Sequence, residues 1–234
     1  MEWDEVQRVV VVFAHPDDGE FGSAGTAALM ARDGKEVVYV VATNGSKGSS
    51  DPEMTREQLI AIREREQRDA AHVLGVKDVC FLGFEDGVLE PSLELRKAVA
   101  GAIRRYKPDV VISQNPVRDL TGTVFAQHPD HLATGEATLA AVYPTARDRM
   151  AFPELLEQGL EPHAAREVWI VGTSMPDHFV DITSTIDLKV QALQAHVSQI
   201  AARQVDEFIP ERARRLGEEQ GMEYAEAFRR IIIG

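Results

Sequence analysis

Two runs of mostly β-branched residues open the chain. Arg8 to Ala14 and Glu36 to Ala42 are apolar at nearly every position, without alternation. That pattern predicts strands covered on both faces, as in a parallel sheet. Between them, Gly22 to Arg32 is rich in small residues at helical spacing, and Gly34 ends it. This strand–helix–strand unit is the opening of a doubly wound α/β fold. Further along, Thr55 to Leu74 reads as a long charged helix stopped by Gly75. Val79 to Leu82 reads as a third strand, Ser92 to Arg105 as a helix and Asp109 to Ser113 as a fourth strand. His131 to Val142 is helical in pattern, Arg166 to Gly172 is a fifth strand and Phe179 to Ile182 a sixth. Thr185 to Gln199 and Glu211 to Arg230 are predicted as helices. Asn44 to Glu53 and Asn115 to Gln127 lack periodicity and read as loops. No repeat and no linker dense in Pro or Gly divides the chain, so residues 1–234 are expected to form one domain.

Composition narrows the function. The net charge is −13, from 38 acidic and 25 basic residues. That balance argues against a nucleic-acid binder and against docking on anionic membrane through a basic patch. It leaves neutral and cationic substrates open. The lone Cys80 makes no intrachain disulfide. Met1 to Glu5 is acidic and lacks a signal-peptide pattern, and no apolar run approaches the roughly 20 residues of a membrane span. A cytoplasmic protein is the expectation.

The chemistry is carried by two short motifs. His15-Pro16-Asp17-Asp18 follows the first predicted strand, and His128-Pro129-Asp130-His131 follows the fourth by one loop. Both fall beyond the carboxyl ends of strands, where open α/β sheets bind ligands. His15 and Asp18 are spaced so that one turn points both at one ion, and His131 can supply a third ligand. Two His and one carboxylate with an open position is a recurring catalytic zinc set. The same set serves non-haem iron, so the ligands alone do not fix the metal. Asp17 can take the proton of a metal-activated water. His128, protonated, can stabilise an oxyanion or feed a leaving amine, with Asp130 holding its tautomer. The inventory suits hydrolysis of an amide or ester better than redox chemistry. As a plain structural feature, Asp17 or Asp18 is a helix N-cap, Arg63 and Glu66 form a pair within a solvated helix, and Asp86 is a turn carboxylate. His72, His163, His178 and His196 have no comparable neighbours and read as surface or core residues.

The two motifs, with Glu20, Gly22 and Gly25-Thr26, resemble the PIG-L/LmbE family of zinc-dependent N-deacetylases. The resemblance runs from about Arg8 to Ile182 and more loosely to Tyr224–Phe228. It implies a Rossmann-like, mostly parallel sheet with helices on both faces and the active site at the carboxyl edge. It implies His15, Asp18 and His131 as ligands of one Zn2+ per chain, or of another divalent metal. It makes Asp17 the general base and His128 the oxyanion group supported by Asp130. Arg63 and Asp86 match the family's sugar-contacting residues. The implied partner is a small amino-sugar molecule carrying an N-acetylglucosamine unit, and the implied assembly a homo-oligomer. Gly19 stands where some members have Glu. The rivals are an amidase acting on a larger acyl-amine or thiol conjugate, a non-catalytic sugar-binding homologue that keeps its metal, and an iron-dependent redox enzyme.

Overall fold

The protein is described by a computed structural model covering residues 3–120, 127–200 and 204–234. Part of the expected loop Asn115 to Gln127, including Phe125, lies outside the described residues. The strands are β1 (Arg8–Phe13), β2 (Glu36–Thr43), β3 (Asp78–Phe84), β4 (Val110–Gln114), β5 (Glu167–Val171), β6 (His178–Asp181) and β7 (Ala225–Ile232). They form one sheet in the order β3-β2-β1-β4-β5-β7-β6. The first five are parallel to one another, and β7 runs antiparallel to both β5 and β6. The strand order reverses at β1 and β4, which makes the crevice beyond their carboxyl ends the switch point of the fold.

The uninterrupted apolar runs have the expected cause. In β1 and β2 alternate side chains enter two different cores: Val9, Val11, Phe13, Val37, Tyr39 and Val41 face one, Val10, Val12, Val38 and Val40 the other. Helices α1 (Asp18–Arg32), α2 (Arg56–Leu74), α6 (Ile186–Gln194) and α8 (Val205–Glu218) cover the first face. Helices α3 (Leu93–Tyr106) and α4 (Pro129–Ala140) cover the second. Two short helices, α5 (Pro153–Glu157) and α7 (Val197–Ile200), complete the set.

One expected element is wrong. Glu211 to Arg230 is not a helix throughout. Helix α8 ends at Glu218, Gly221 turns the chain at φ +71°, and Ala225 to Ile232 forms β7. The Ala, Glu and Arg residues of that segment have good intrinsic helicity, but pairing on both strand edges with β5 and β6 overrides it. The expected helix Thr185 to Gln199 is also divided, into α6 and α7, at Ala195-His196.

Candidate metal centre and catalytic cleft

Four chain segments meet at the switch point. His15 lies two residues beyond β1 and is 8% exposed. Asp17 begins α1 in a left-handed conformation, φ 98° and ψ −26°, and its carboxylate makes no capping hydrogen bond. The N-cap explanation of that side chain is therefore removed. Another of these segments is the start of α4, which packs on the end of β4. A Cβ at Gly135 would collide with the Gln114 carbonyl, so glycine there lets α4 sit directly on the end of β4. That approach brings His128, Asp130 and His131 to the carboxyl edge.

The Asp18 carboxylate bridges two imidazoles. Its Oδ2 lies 3.2 Å from His15 Nδ1, and its Oδ1 lies 3.1 Å from His131 Nε2. The His15 backbone N–H also donates to Asp18 Oδ2 at 2.8 Å. The other ring nitrogen of His15, Nε2, faces Asp130 Oδ2 at 3.0 Å and Asp86 Oδ1 at 3.2 Å. Two carboxylates behind Nε2 fix the ring with Nδ1 turned toward Asp18 and His131. Ligating histidines are commonly oriented this way through their second nitrogen. Asp130 is fully buried and also accepts from the Gly87 and Leu89 backbone N–H groups, at 2.6 and 3.2 Å.

Asp130 meets His15 through its side chain and His128 through its main chain. Its carboxylate orients His15, and its Oδ1 is 3.9 Å from His128 Nδ1, beyond hydrogen-bond range. His128 Nδ1 instead accepts the Asp130 backbone N–H at 3.2 Å. An accepting Nδ1 places the ring proton on Nε2. Burial and the neighbouring His15 lower the His128 pKa.

Arg63 and Asp86 are brought to the same place, but inward. Arg63 is 4% exposed, and its Nη2 and Nη1 donate to the Pro16, Gly45 and Lys47 carbonyls at 2.8, 3.2 and 3.1 Å. It lies 3.7 Å from Asp17 Oδ2 and 3.8 Å from Asp86 Oδ2. Asp86, 5% exposed, also accepts the Lys47 backbone N–H at 2.9 Å. Through these contacts both residues brace the loops behind His15. Nor does Arg63 pair with Glu66, whose carboxylate binds the Ser198 N–H and hydroxyl at 2.8 and 2.6 Å.

Electrostatics match a cation site. Asp17, Asp18, Asp86 and Asp130 surround the cluster, and Arg63 is the guanidinium set against them. Burial opposes protonation of His15, yet hydrogen bonds to Asp130, Asp18 and Asp86 push its pKa up to about 12. Burial disfavours the Asp18 anion, but the two imidazoles hold its pKa well below the usual carboxylate range. Asp17 behaves oppositely: burial and the adjacent Asp18 raise it to about 7, against the pull of Arg63. Two neighbouring carboxylates with pKa values driven apart are the expected division between ligand and base.

The donor set fits a divalent metal. Among the described residues, His15, His128 and His131 offer ligand atoms within 4.8 Å of one another, as do His15, Asp86 and Asp130. The second group converges on the single Nε2 of His15, which is a hydrogen-bond arrangement. On the cleft side Asp18 stands between His15 Nδ1, 3.2 Å from its Oδ2, and His131 Nε2, 3.1 Å from its Oδ1. From there a cleft opens along Phe21, Leu132, Val171, Phe208 and Ile209, with Arg212 at its margin.

Sequence reasoning missed Gln67 and His196 at this site and gave Glu20 no role beyond the family resemblance. Asp17 N–H donates to Gln67 Oε1 at 3.0 Å, Gln67 Nε2 donates to Glu20 Oε1 at 2.8 Å, and Glu20 Oε2 lies 3.2 Å from His196 Nε2. The only signal in the chain was the polar run His196-Val197-Ser198-Gln199 within an otherwise amphipathic segment.

Comparison with known proteins agrees with this geometry. The family model PIG-L, described as GlcNAc-PI de-N-acetylase, matches residues 10–142. A diacetylchitobiose deacetylase of Thermococcus kodakarensis is 32% identical over 84% of this chain and 72% of its own length. A probable N-acetyl-alpha-D-glucosaminyl L-malate deacetylase 2 of Bacillus anthracis is 33% identical over 84% of this chain and 83% of its own. The structure of N,N'-diacetylchitobiose deacetylase from Pyrococcus horikoshii superposes with a TM-score of 0.89 at 30% identity, covering 98% of this chain and 85% of that one. The family model spans more than half of the chain and includes both motifs, and the protein belongs to the PIG-L family.

Proposed function

We propose that the protein is a zinc-dependent hydrolase that removes the acetyl group from the amine of a small N-acetylglucosamine-containing molecule. The supporting observation is the carboxylate pair Asp17–Asp18: one is held anionic between two imidazoles, the other is poised near neutrality beside them. His15, Asp18 and His131 would hold the ion. A divalent ion in that position polarises an amide carbonyl and makes water more acidic. Asp17 takes the proton of the attacking water at its carboxylate and passes it to the departing amine. His128 donates its Nε2–H to the oxyanion of the tetrahedral intermediate. Asp130 and Asp86 keep His15 turned toward the ion. The deacetylase activities of the relatives support the substrate class.

Residues 1–234 act in this reading as one domain working in the cytoplasm, in keeping with a described chain that has no helix long and apolar enough to cross a membrane. A homo-oligomer is part of the same proposal, by likeness to the family. The apolar wall of Phe21, Val171, Phe208 and Ile209 favours a second reading, an amidase whose acyl group is larger than acetyl. The test is product analysis with metal-analysed protein on N-acetylglucosamine and its glycosides, with and without chelator. Chelator-sensitive acetate release, restored by zinc, is expected. A larger carboxylic acid selects the amidase, and no acyl release from zinc-loaded protein overturns both.

A further inference from the structure

The backbone of Asp17 is held in a conformation that non-glycine residues rarely adopt, φ 98°. Such a conformation is strained and persists only where the surroundings enforce it. Here they do so from both sides. The Asp17 carbonyl accepts the Glu20 and Phe21 N–H groups, each at 3.1 Å, as α1 begins. Its N–H is held by Gln67 Oε1, from the middle of α2. Gln67 has no freedom of its own, because its amide is oriented by Glu20, and Glu20 in turn meets His196 between α6 and α7. Gln67, Glu20 and His196 are all fully buried. The amide assignment of Gln67 follows from this chain, since its oxygen must face the Asp17 N–H and its nitrogen the Glu20 carboxylate.

The turn that carries His196 is itself tied down. Ser198 N–H and hydroxyl bond to Glu66, one residue before Gln67 on α2. The beginning of α2 is fixed by a reciprocal cap, Thr55 with Gln58, which sets the helical phase that presents Gln67. None of these groups points at substrate. Their common endpoint is the peptide of Asp17.

We infer that Gln67, oriented by Glu20 and His196, is a positioning residue that fixes the main chain of Asp17 and thereby aims its carboxylate for proton transfer. This rests on the reading of Asp17 as general base. It predicts that the chain of hydrogen bonds matters by its direction and not merely by its volume.

A charge swap tests this. In Gln67→Glu two carboxylates face each other at positions 20 and 67, and the donor between them is lost. In Glu20→Gln with Gln67→Glu the donor is restored from the other side: residue 20 donates to residue 67, residue 67 still accepts the Asp17 N–H, and residue 20 still accepts from His196. The expected result for Gln67→Glu is a fall in kcat of about 10- to 100-fold, the usual scale for a lost supporting hydrogen bond. KM and zinc affinity, the latter from chelator competition, are expected to stay near wild type. The double swap is expected to recover kcat to within a few-fold. Gln67→Met, neutral and similar in size, removes the acceptor and serves if the facing carboxylates unfold the protein; its kcat is expected to fall with melting temperature and zinc content little changed. The inference is overturned by full kcat in Gln67→Met, by a folded and zinc-loaded double swap that stays inactive, or by losses that track zinc or melting temperature alone. Inactivity of the wild-type protein on every amide would instead overturn the functional reading. An active wild type with unaffected Gln67 variants leaves that reading standing and removes only this inference.

Discussion

At the residue scale, Asp17 and Asp18 are neighbours in sequence with opposite environments. Asp18 lies within 3.2 Å of two imidazoles, and Asp17 has Arg63 at 3.7 Å and burial against its charge. Asp17→Asn keeps shape and all three ligands. Its turnover is expected to fall by at least about 100-fold, the low end of what general acid–base catalysis contributes, with zinc content unchanged. Metal analysis beside steady-state kinetics checks both halves, and turnover near wild type would remove Asp17 as the base. His131→Ala deletes the partner of Asp18 Oδ1. Its expected phenotype is loss of zinc, read by dialysis and metal analysis, and full occupancy would remove the ligand assignment. These residues were legible in the sequence because each motif packs its chemistry into four consecutive positions. Gln67 and His196 were not, since their partners Asp17 and Glu20 lie far away in sequence and only the fold brings them together. The tautomer of His128 was not legible for the same reason: the backbone N–H that occupies its Nδ1 is visible only once α4 has formed.

At the element scale, the parallel half of the sheet was legible and the antiparallel edge was not. A strand buried on both faces declares itself as an unbroken apolar run, as Val9 to Phe13 does. Strand β7 mixes buried Ala225, Glu226 and Phe228 with exposed Arg229, and its polar residues look like the outer face of a helix. Two of those polar residues have specific partners. Glu226 accepts the Gly25 and Thr26 N–H groups at 3.0 and 2.8 Å, where α1 is kinked at Ser23, and binds Lys189 at 2.5 Å. Arg230 binds Glu167 of β5 at 2.5 Å. Burial works against the Glu167 anion, but Arg230 and the Trp169 N–H hold its pKa down at about 2. A carboxylate depressed in the folded state stabilises above its unfolded pKa, near 4.5, and that stabilisation disappears as pH falls toward 2. Wild type is therefore expected to melt above Glu167→Gln at neutral pH, with the gap closing between pH 4.5 and 2. A gap independent of pH would show that packing and not charge is responsible. On the opposite face, Gly135→Ala forces α4 away from the Gln114 carbonyl. Overpacking of this kind costs about 1–3 kcal/mol, so a lower melting temperature is expected together with weaker zinc binding, because α4 carries His131.

At the scale of the whole molecule, charge sets which substrates approach. The chain carries −13, and four carboxylates stand around its catalytic centre. Among amino sugars this field discriminates by charge: a neutral N-acetylglucosaminide meets no net force, while an anionic one, such as a malate glycoside, is repelled on approach. Arg118 and Arg212, which line the cleft, oppose that repulsion locally. Ionic strength separates the two effects, because the Debye length shrinks from about 30 Å at 0.01 M salt to about 3 Å at 1 M. For diacetylchitobiose, kcat/KM is expected to be nearly flat over that range. For the malate glycoside it is expected to rise with salt as the repulsion is screened, through KM and not kcat, since the field acts before the amide reaches His128 and Asp17. A fall with salt would mean that the cationic margin of the cleft outweighs the net charge and that an anionic aglycone is drawn in. The sign of one salt titration thus reports whether the acidic surface excludes such substrates or the arginines of the cleft recruit them.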